Sequence, residues 1–437
     1  MTATRTRTAH PARRPSARDQ VTRHRVPTRW RVVAGAAATS AALCALTLST
    51  VVVVWRLQRP APVVVCGTDA LQAGALAGLA HFSAWLRRED ASGFVGEVGW
   101  PAGADIDQWN ALGAVWYRAA DAIGLPVTAW AAGRWPPNYR MTVYRSGSTV
   151  GSAGPQAPIV EAHPGAERYL RGVALAGGSF GTGDGNPDFS NLNPGRYGSD
   201  YTYEDAGFYA YLAGRGVRLV RLAISWERLQ DRPSGPLVAA ELGRIRTAVG
   251  SAAAAGLRVV LDLHGYGDYA LGSADTDGSA DAGAGRVRRV PLGSLELPTT
   301  ALADLWSRLA RATADLPAIA GYGLLNEPTK LAAKGRDAAL IWERASQQAV
   351  RAIRRTGDRR RVLVSGYAQM SPADWGRLHP HAWIEDPVRR VSYETHDYFD
   401  QDNSGRYRAG YSDELARAAP STPLCQSLTP MTRRSLW

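Results

Sequence analysis

Eight short apolar runs alternate with longer helical patterns along most of this chain. The apolar runs cover residues 93–97, 125–130, 169–177, 217–225, 257–264, 320–327, 360–366 and 389–396. The helical patterns cover residues 75–88, 106–124, 204–216, 238–256, 301–316 and 338–355. Parallel strands need a crossover between them, usually a helix, so this alternation predicts an α/β fold. Eight repeats favour a (β/α)8 TIM barrel, although an open doubly wound sheet would produce the same pattern. Residues 267–297, rich in Gly, Asp and Ser, are predicted to form a long loop.

Polar or aromatic residues stand in or directly after these apolar runs. They are Glu97, Trp130, Arg221, His264, Asn326, Glu327, His396 and Tyr398. Active sites of such barrels form at the carboxyl ends of the strands. Every strand has to stop somewhere, so one polar end has an ordinary structural explanation. Two glutamates, two histidines and an arginine at successive strand ends indicate a catalytic site.

The amino terminus carries most of the positive charge. Residues 1–31 contain nine arginines and one acid, Asp19, which gives this segment +8 of the whole-chain charge of +12. The remaining chain is nearly balanced, so nucleic acid is not an expected partner.

Residues 32–55 contain no charged side chain and are long enough to cross a bilayer core of ~30 Å. The preceding arginines predict a cytoplasmic amino terminus and an extracytoplasmic remainder, held at the cell membrane by a single-pass helix. A cleaved signal peptide, which would make the protein secreted, is the alternative. The apolar run is longer than the usual ~7–15 residues, and no A-x-A-like cleavage site follows. The predicted organisation is a basic tail (1–31), a transmembrane helix (32–55), a spacer (56–69) and a catalytic domain (70–437) whose last ~20 residues read as irregular.

Six stretches resemble, in chain order, the first six strands of glycoside hydrolase family 5, the cellulase-like retaining glycosidases with a (β/α)8 barrel. They are RGVALAGGSFG, YEDAGFYAYLAGRGVRLVRLAISWERLQ, LRVVLDLHGYG, GYGLLNEP, VLVSGYAQMSPADW and VSYETHDYFDQDNSG. The seventh and eighth strands of the family do not follow. Instead, GFVGEVGWP (93–101) resembles the seventh and LPVTAWAAGRW (125–135) the eighth.

Each family strand therefore occurs once, and only the starting point differs. The order implies a circular permutation in which family strands 7 and 8 precede strands 1 to 6. Domain termini are often close together, so such a cut is physically tolerable. A broken gene, in which a remnant of one domain precedes a truncated second one, is the rival explanation. Cys66 and Cys425 flank the proposed cut, and we expect a disulfide between them in place of the lost connection, with two free thiols as the alternative.

The resemblance implies a retaining mechanism with Glu97 as nucleophile and Glu327 as acid/base. It also implies that Arg221 favours ionised Glu97 and that Tyr398 donates a hydrogen bond to Glu97. Asn326 would hold the sugar 2-hydroxyl, and Trp130 would stack on a pyranose ring. His264 and His396 would orient sugar hydroxyls or tune the carboxyl groups. Trp135, Trp226 and Trp375 are either further sugar platforms or core residues.

No cofactor or metal is expected. The spacing of the acidic residues in DTDGSAD (275–281) weakly resembles that of a calcium-binding loop, but the glutamate at the twelfth position of such a loop is missing. The predicted function is an endo-type glycoside hydrolase acting on β-1,4-linked glucan or a related polysaccharide outside the membrane. A catalytically inactive glycan-binding surface protein and a transglycosylase acting on an exopolysaccharide remain alternatives.

Overall fold

A computed structural model describes residues 61–147, 151–175, 177–179, 188–273, 287–368, 370–420 and 422–431. The predicted basic tail, the predicted transmembrane helix and the acidic stretch 275–281 lie outside these residues. Within the described ranges, no helix combines the length and the apolar character needed to span a membrane.

The described residues form fifteen strands and ten helices. The strands are β1 (Val63–Cys66), β2 (Ser92–Gly99), β3 (Val127–Gly133), β4 (Tyr144–Arg145), β5 (Ser152–Ala153), β6 (Gly165–Ala166), β7 (Tyr169–Leu175), β8 (Leu219–Ile224), β9 (Arg258–Leu263), β10 (Asp268–Gly272), β11 (Val287–Pro291), β12 (Ile319–Gly323), β13 (Arg361–Ser365), β14 (Val391–Tyr398) and β15 (Cys425–Leu428). The helices are α1 (Ala70–Arg88), α2 (Ile106–Ile123), α3 (Ala157–Glu161), α4 (Ala206–Gly214), α5 (Trp226–Leu229), α6 (Ala239–Ala254), α7 (Thr299–Ala312), α8 (Gly335–Arg355), α9 (Trp375–Leu378) and α10 (Tyr411–Arg417).

Eight parallel strands close into a barrel. Their order around it is β3, β2, β14, β13, β12, β9, β8 and β7, and a pairing between β7 and β3 closes the ring. All eight predicted apolar runs form these strands, so the barrel is confirmed and the open doubly wound sheet is wrong. Strand β2 pairs with β14 and β3 pairs with β7, so the amino-terminal strands fill the gap between the last and first strands of the remaining chain.

The apolar pattern explains how strands and helices pack. Helix α8 buries Ala338, Trp342, Ala345 and Ala349, which recur at the three- and four-residue spacing of one helix face. Inside the strands, a separate cluster forms from side chains of five barrel strands, as expected for a packed layer within the barrel. Its members are Phe94, Leu219, Val260, Ala320 and Leu363.

A small sheet outside the barrel joins the two ends of the described chain. Strand β1 pairs antiparallel with β15, and Cys66 lies opposite Cys425. The sulfur atoms of these two cysteines form a disulfide across 359 positions of sequence. The segment 56–69 was expected to be a spacer, but its second half is strand β1, and Asp69 caps helix α1 by accepting a hydrogen bond from the backbone N–H of Gln72. The terminal region expected to be irregular contains β15, because its backbone groups are paired by β1.

The expectation of a structureless loop at 267–297 is wrong for its described ends. Strands β10 and β11 pair antiparallel in that segment. The Gly and Asp content that predicted a loop is concentrated between these two strands, whereas Tyr269, Ala270 and Val290 are buried.

Candidate active site

Glu97 lies near the end of β2, with 4% of its side chain exposed. The pairing of β2 with β14 shifts by one residue, so that Thr395 lies opposite Val95 but His396 lies opposite Glu97. Such a bulge leaves Gly96 as the extra residue and re-aims the side chain that follows it. Glycine is required there, because a Cβ at position 96 would lie 1.9 Å from Oε1 of Glu394.

Glu327 lies four residues beyond the end of β12, and 17% of its side chain is exposed. The intervening segment is held by both neighbouring strands: the N–H of Leu324 donates to the carbonyl of Leu363, and the N–H of Asn326 donates to the carbonyl of Leu263. Glu327 itself has φ of +40°, in the left-handed region that few non-glycine residues adopt. Such conformations persist where the surrounding structure enforces them.

The two glutamates meet at His396. Nδ1 of His396 lies 2.8 Å from Oε1 of Glu327 and 3.4 Å from Oε2 of Glu97. One oxygen from each glutamate and this ring nitrogen all lie within 4.8 Å of one another. Burial by itself would lower the pKa of His396, but the negative charges of Glu97, Glu327 and Glu394 raise it to about 9. His396 is therefore a cation at neutral pH.

Arg221, on β8, is the second cation of the site. Its Nη1 donates to Oε1 of Glu97 at 2.9 Å, and its Nη2 donates to Oδ1 of Asn326 at 2.7 Å. Its guanidinium also lies 3.0 Å from carboxylate oxygens of Asp262 and Glu394. The other oxygen of Glu97 accepts a hydrogen bond from the hydroxyl of Tyr398 at 2.5 Å. Burial and the charge of Glu97 raise the pKa of Tyr398, which keeps its proton available for this bond.

His264 and Trp130 form the next part of the site. Nδ1 of His264 lies 2.9 Å from Oδ2 of Asp262, and the ring of His264 stacks on that of Trp130 with centroids 5.5 Å apart. One face of Trp130 is thus covered by His264. The peptide bond between Trp130 and Ala131 is cis. The six other predicted site residues are consequently brought together around the two glutamates.

The sequence reasoning missed the two carboxylates beneath the site, Asp262 and Glu394. Each lies two positions before a predicted histidine on the same strand, and alternate residues of a strand share a face. That periodicity was the signal that could have identified them. Burial alone would raise the pKa of Asp262, but Arg221 and His264 bring it below its usual range.

Two tyrosines from loops were also missed. Tyr139, in the loop after β3, accepts a hydrogen bond from Nε1 of Trp130 at 2.6 Å, and its ring stacks on Trp135 at 4.2 Å. Burial and the charge of Glu97 raise the pKa of Tyr139. Burial and the charges of Glu327 and Glu97 likewise raise the pKa of Tyr266, in the loop after β9. Both rings therefore lie near the glutamates, and no local sequence pattern marked either one.

The remaining tryptophans separate into two groups. Trp135 lies 5.6 Å from Trp130, at the site. Trp226 and Trp375 are buried. Nε1 of Trp226 donates to Gln230, and Trp375 packs edge-to-face against Phe82. These two are core residues.

Glu97, Glu327 and His396 are also close enough together to hold a metal ion. A histidine binds a metal only in its neutral form. Because the pKa of His396 is about 9, its ring would have to lose a proton first. The arrangement suits acid–base chemistry at two carboxyl groups.

A sequence model of the cellulase family, described as glycosyl hydrolase family 5, matches residues 181–429. Glu97 and Trp130 lie before this matched segment, whereas Arg221, Glu327 and His396 lie within it.

Among curated proteins, the chain is 26% identical over 247 residues to endoglucanase gh5-1 of Neurospora crassa, which covers 56% of this chain and 54% of that protein. It is 26% identical over 250 residues to endo-beta-1,4-glucanase A of Emericella nidulans, covering 56% and 68%. The chain thus spans about half to two thirds of the length of these relatives.

Two solved structures are similar over comparable segments. The endo-beta-1,4-glucanase Xac0029 from Xanthomonas axonopodis pv. citri is 31% identical with a TM-score of 0.42, covering 56% of this chain and 71% of that one. The endoglucanase Cel5A of Pseudomonas stutzeri, in complex with cellobiose, is 28% identical with a TM-score of 0.44, covering 57% and 64%.

Proposed function

The chain belongs to the cellulase family, glycosyl hydrolase family 5. We therefore propose that it is a retaining, endo-type glycoside hydrolase that cleaves β-1,4-linked glucan or a related polysaccharide. The observation that carries the proposal is the approach of Glu97 and Glu327, since one carboxylate oxygen of Glu97 lies within 4.8 Å of one of Glu327. Retaining glycosidases hold their two carboxyl groups about 5–5.5 Å apart, whereas inverting enzymes leave room for a water molecule at about 6.5–9.5 Å. The name of the Emericella nidulans relative, endo-beta-1,4-glucanase A, supports β-1,4-glucan as the substrate.

In the proposed mechanism, Glu97 attacks the anomeric carbon and forms a glycosyl–enzyme. Arg221 and Tyr398 each contact an oxygen of Glu97, an arrangement that suits a carboxylate nucleophile. Glu327, the more exposed glutamate, protonates the leaving oxygen and then takes a proton from the attacking water. Asn326 is proposed to contact the sugar 2-hydroxyl, since Arg221 orients its side-chain amide.

The other predicted residues have supporting roles in this proposal. His396 bridges both glutamates, and its positive charge stabilises ionised Glu97 and the carboxylate that Glu327 becomes once it has given up its proton. His264, held by Asp262, presents its ring to Trp130 and fixes the orientation of that indole. Trp130 supplies the flat apolar surface on which a pyranose ring stacks.

We further propose that the barrel is a circular permutation of the family barrel. Two observations support it: the family match begins at residue 181, and the strands before that residue, β2 and β3, complete the ring between β14 and β7. A remnant fused to a truncated domain would not be expected to supply complementary strands. The disulfide between β1 and β15 joins the ends on either side of the proposed cut.

We also propose that residues 32–55 anchor the protein in the cell membrane, with the barrel outside and residues 1–31 in the cytoplasm. The uncharged stretch and the nine preceding arginines support this arrangement. A disulfide is compatible with an extracytoplasmic barrel, because disulfides persist mainly in oxidising compartments. Protease treatment of intact cells should digest the barrel and spare an amino-terminal tag.

The test of the hydrolase is reducing-sugar release by the purified full chain on β-glucans, xylan and mannans. We expect Glu97→Gln to lose activity by orders of magnitude, and Glu385→Gln, an exposed surface variant, to match the parent. Glu327→Gln should still form the glycosyl–enzyme from an aryl cellobioside whose leaving group needs no proton, giving a burst of phenol release, while the later attack of water stays slow. Retention predicts that NMR detects the β-anomer first.

A folded parent that binds glucan but releases no sugar would instead support the inactive glycan-binding protein. Transfer of the glycosyl group to an added acceptor sugar in preference to water would support the transglycosylase.

A further inference from the structure

A cavity of about 320 Å³ lies between the loop after β2 and the loop after β3. Its lining includes Asn138, Tyr139, Arg140, Thr142, Arg145 and Pro155. The two loops follow the carboxyl ends of the strands that carry Glu97 and Trp130. Loops at the carboxyl ends of barrel strands share one face of the barrel, so the cavity lies on the face of the catalytic pair.

Tyr139 connects this cavity with the active site. Its ring lines the cavity, while its hydroxyl accepts the hydrogen bond from Nε1 of Trp130. A glycan bound along Trp130 would therefore pass next to the cavity on the nucleophile's side of the site.

The cavity is positively charged. Its eleven lining residues include two arginines and no aspartate or glutamate, so no acid of the lining neutralises them. The guanidinium of Arg145 is occupied by its own loop, because it donates to the backbone carbonyls of Trp135, Pro136 and Tyr139. These bonds hold the loop that presents Tyr139.

Arg140 differs from Arg145 because, among the described residues, the terminal nitrogens of its guanidinium have no hydrogen-bond acceptor. Its Nε donates to the carbonyl of Ala102 at 2.6 Å, which fixes the direction of the guanidinium. The side chain is also exposed. Two parallel N–H groups of an arginine match the two oxygens of a carboxylate.

We propose that this cavity is a subsite for a carboxylate carried by the glycan, so that the enzyme prefers an acidic β-glucan, such as one bearing uronic acid or other carboxylated units. The inference rests on the proposed function and names the substrate class of the same site. Arg140 binds the carboxylate through its terminal nitrogens, and the amide of Asn138 is the neighbouring donor on the lining.

The test is a binding titration of the full chain carrying Glu97→Gln, with tryptophan fluorescence as the readout of binding. The probes are carboxymethylated and hydroxyethylated cello-oligosaccharides of equal length. An exposed ion pair contributes about 0.2–1 kcal/mol, so we expect the acidic probe to bind up to about fivefold more tightly at low salt. Arg140→Gln should remove this preference without changing the affinity for the neutral probe. Arg258→Gln, an exposed arginine at the amino-terminal end of β9 and so on the opposite barrel face, is the matched control and should retain it.

The outcomes separate the two proposals. Equal binding of both probes by the Glu97→Gln chain, or an unchanged preference in Arg140→Gln, overturns the carboxylate subsite and leaves the hydrolase standing. Sugar release that persists in Glu97→Gln overturns Glu97 as the nucleophile, and a folded parent that releases no sugar overturns the hydrolase. In either case an Arg140-dependent acidic preference would still establish the subsite. Raised salt should weaken the acidic preference, because the ion pair is exposed.

Discussion

Nη1 of Arg221 lies 2.9 Å from Oε1 of Glu97, although the two residues are 124 positions apart in the chain. The same guanidinium lies 3.0 Å from oxygens of Asp262 and Glu394. All four side chains are buried. One cation from β8 thus faces carboxylates from β2, β9 and β14, and it couples Glu97 to the closure of the barrel.

Arg221→Gln should lower the free energy of unfolding by about 3–5 kcal/mol, because removing one partner of a buried ion pair leaves uncompensated charge. Denaturant titration at pH 7 measures this difference. Arg218→Gln, an exposed neighbour at the edge of β8, should stay within about 0.5 kcal/mol of the parent. Equal stability of the two variants would show that other groups balance the three carboxylates.

His396→Gln should reveal the raised pKa of His396. Its folded-state pKa of about 9 lies above the unfolded value of about 6.5, so its contribution to stability is complete below pH 6.5 and is lost as the pH rises through 9. The difference in unfolding free energy between parent and variant should shrink by about 3 kcal/mol between pH 6 and pH 10. A difference that does not vary with pH would mean that His396 is neutral in the folded protein.

Asp397→Asn should stabilise the protein at alkaline pH. Burial raises the pKa of Asp397 to about 7, while its Oδ2 accepts a hydrogen bond from Nε1 of Trp116. The protonated acid is favoured in the fold, so stability is lost as the pH rises from about 4 through 7. The asparagine variant should gain up to about 4 kcal/mol at pH 8 and nothing at pH 4, by denaturant titration at both values. Equal effects at the two pH values would contradict this assignment.

Replacing both Cys66 and Cys425 by serine should lower the unfolding free energy by roughly 2–5 kcal/mol, since the disulfide closes nearly the whole barrel into one loop. Reductant should destabilise the parent by a similar amount and leave the double variant unchanged. A non-reduced digest analysed by mass spectrometry should contain the linked peptides; free thiols at both positions would contradict the pairing.

Parts of the candidate site could be predicted from the sequence, because a polar residue where an apolar run stops indicates the end of a strand. Glu97, His264 and Glu327 each follow an apolar run, and the carboxyl ends of such runs converge in a barrel. Asp262 and Glu394 could also have been predicted, because each lies two positions before a site histidine and alternate residues of a strand share a face. Tyr139 and Arg140 could not have been predicted, because loop residues follow no sequence periodicity that relates them to a distant strand.

The sequence by itself determined the eight strands, the helices between them and the residue types at the strand ends, since these follow from local apolar periodicity and from where it stops. Only the tertiary structure decided that Arg221 faces several carboxylates, that His396 bridges Glu97 and Glu327, and that β1 pairs with β15. These relationships join residues far apart in the chain. Their geometry depends on barrel closure and on a one-residue bulge at Gly96, because a shift of one residue turns every side chain of a strand to its opposite face.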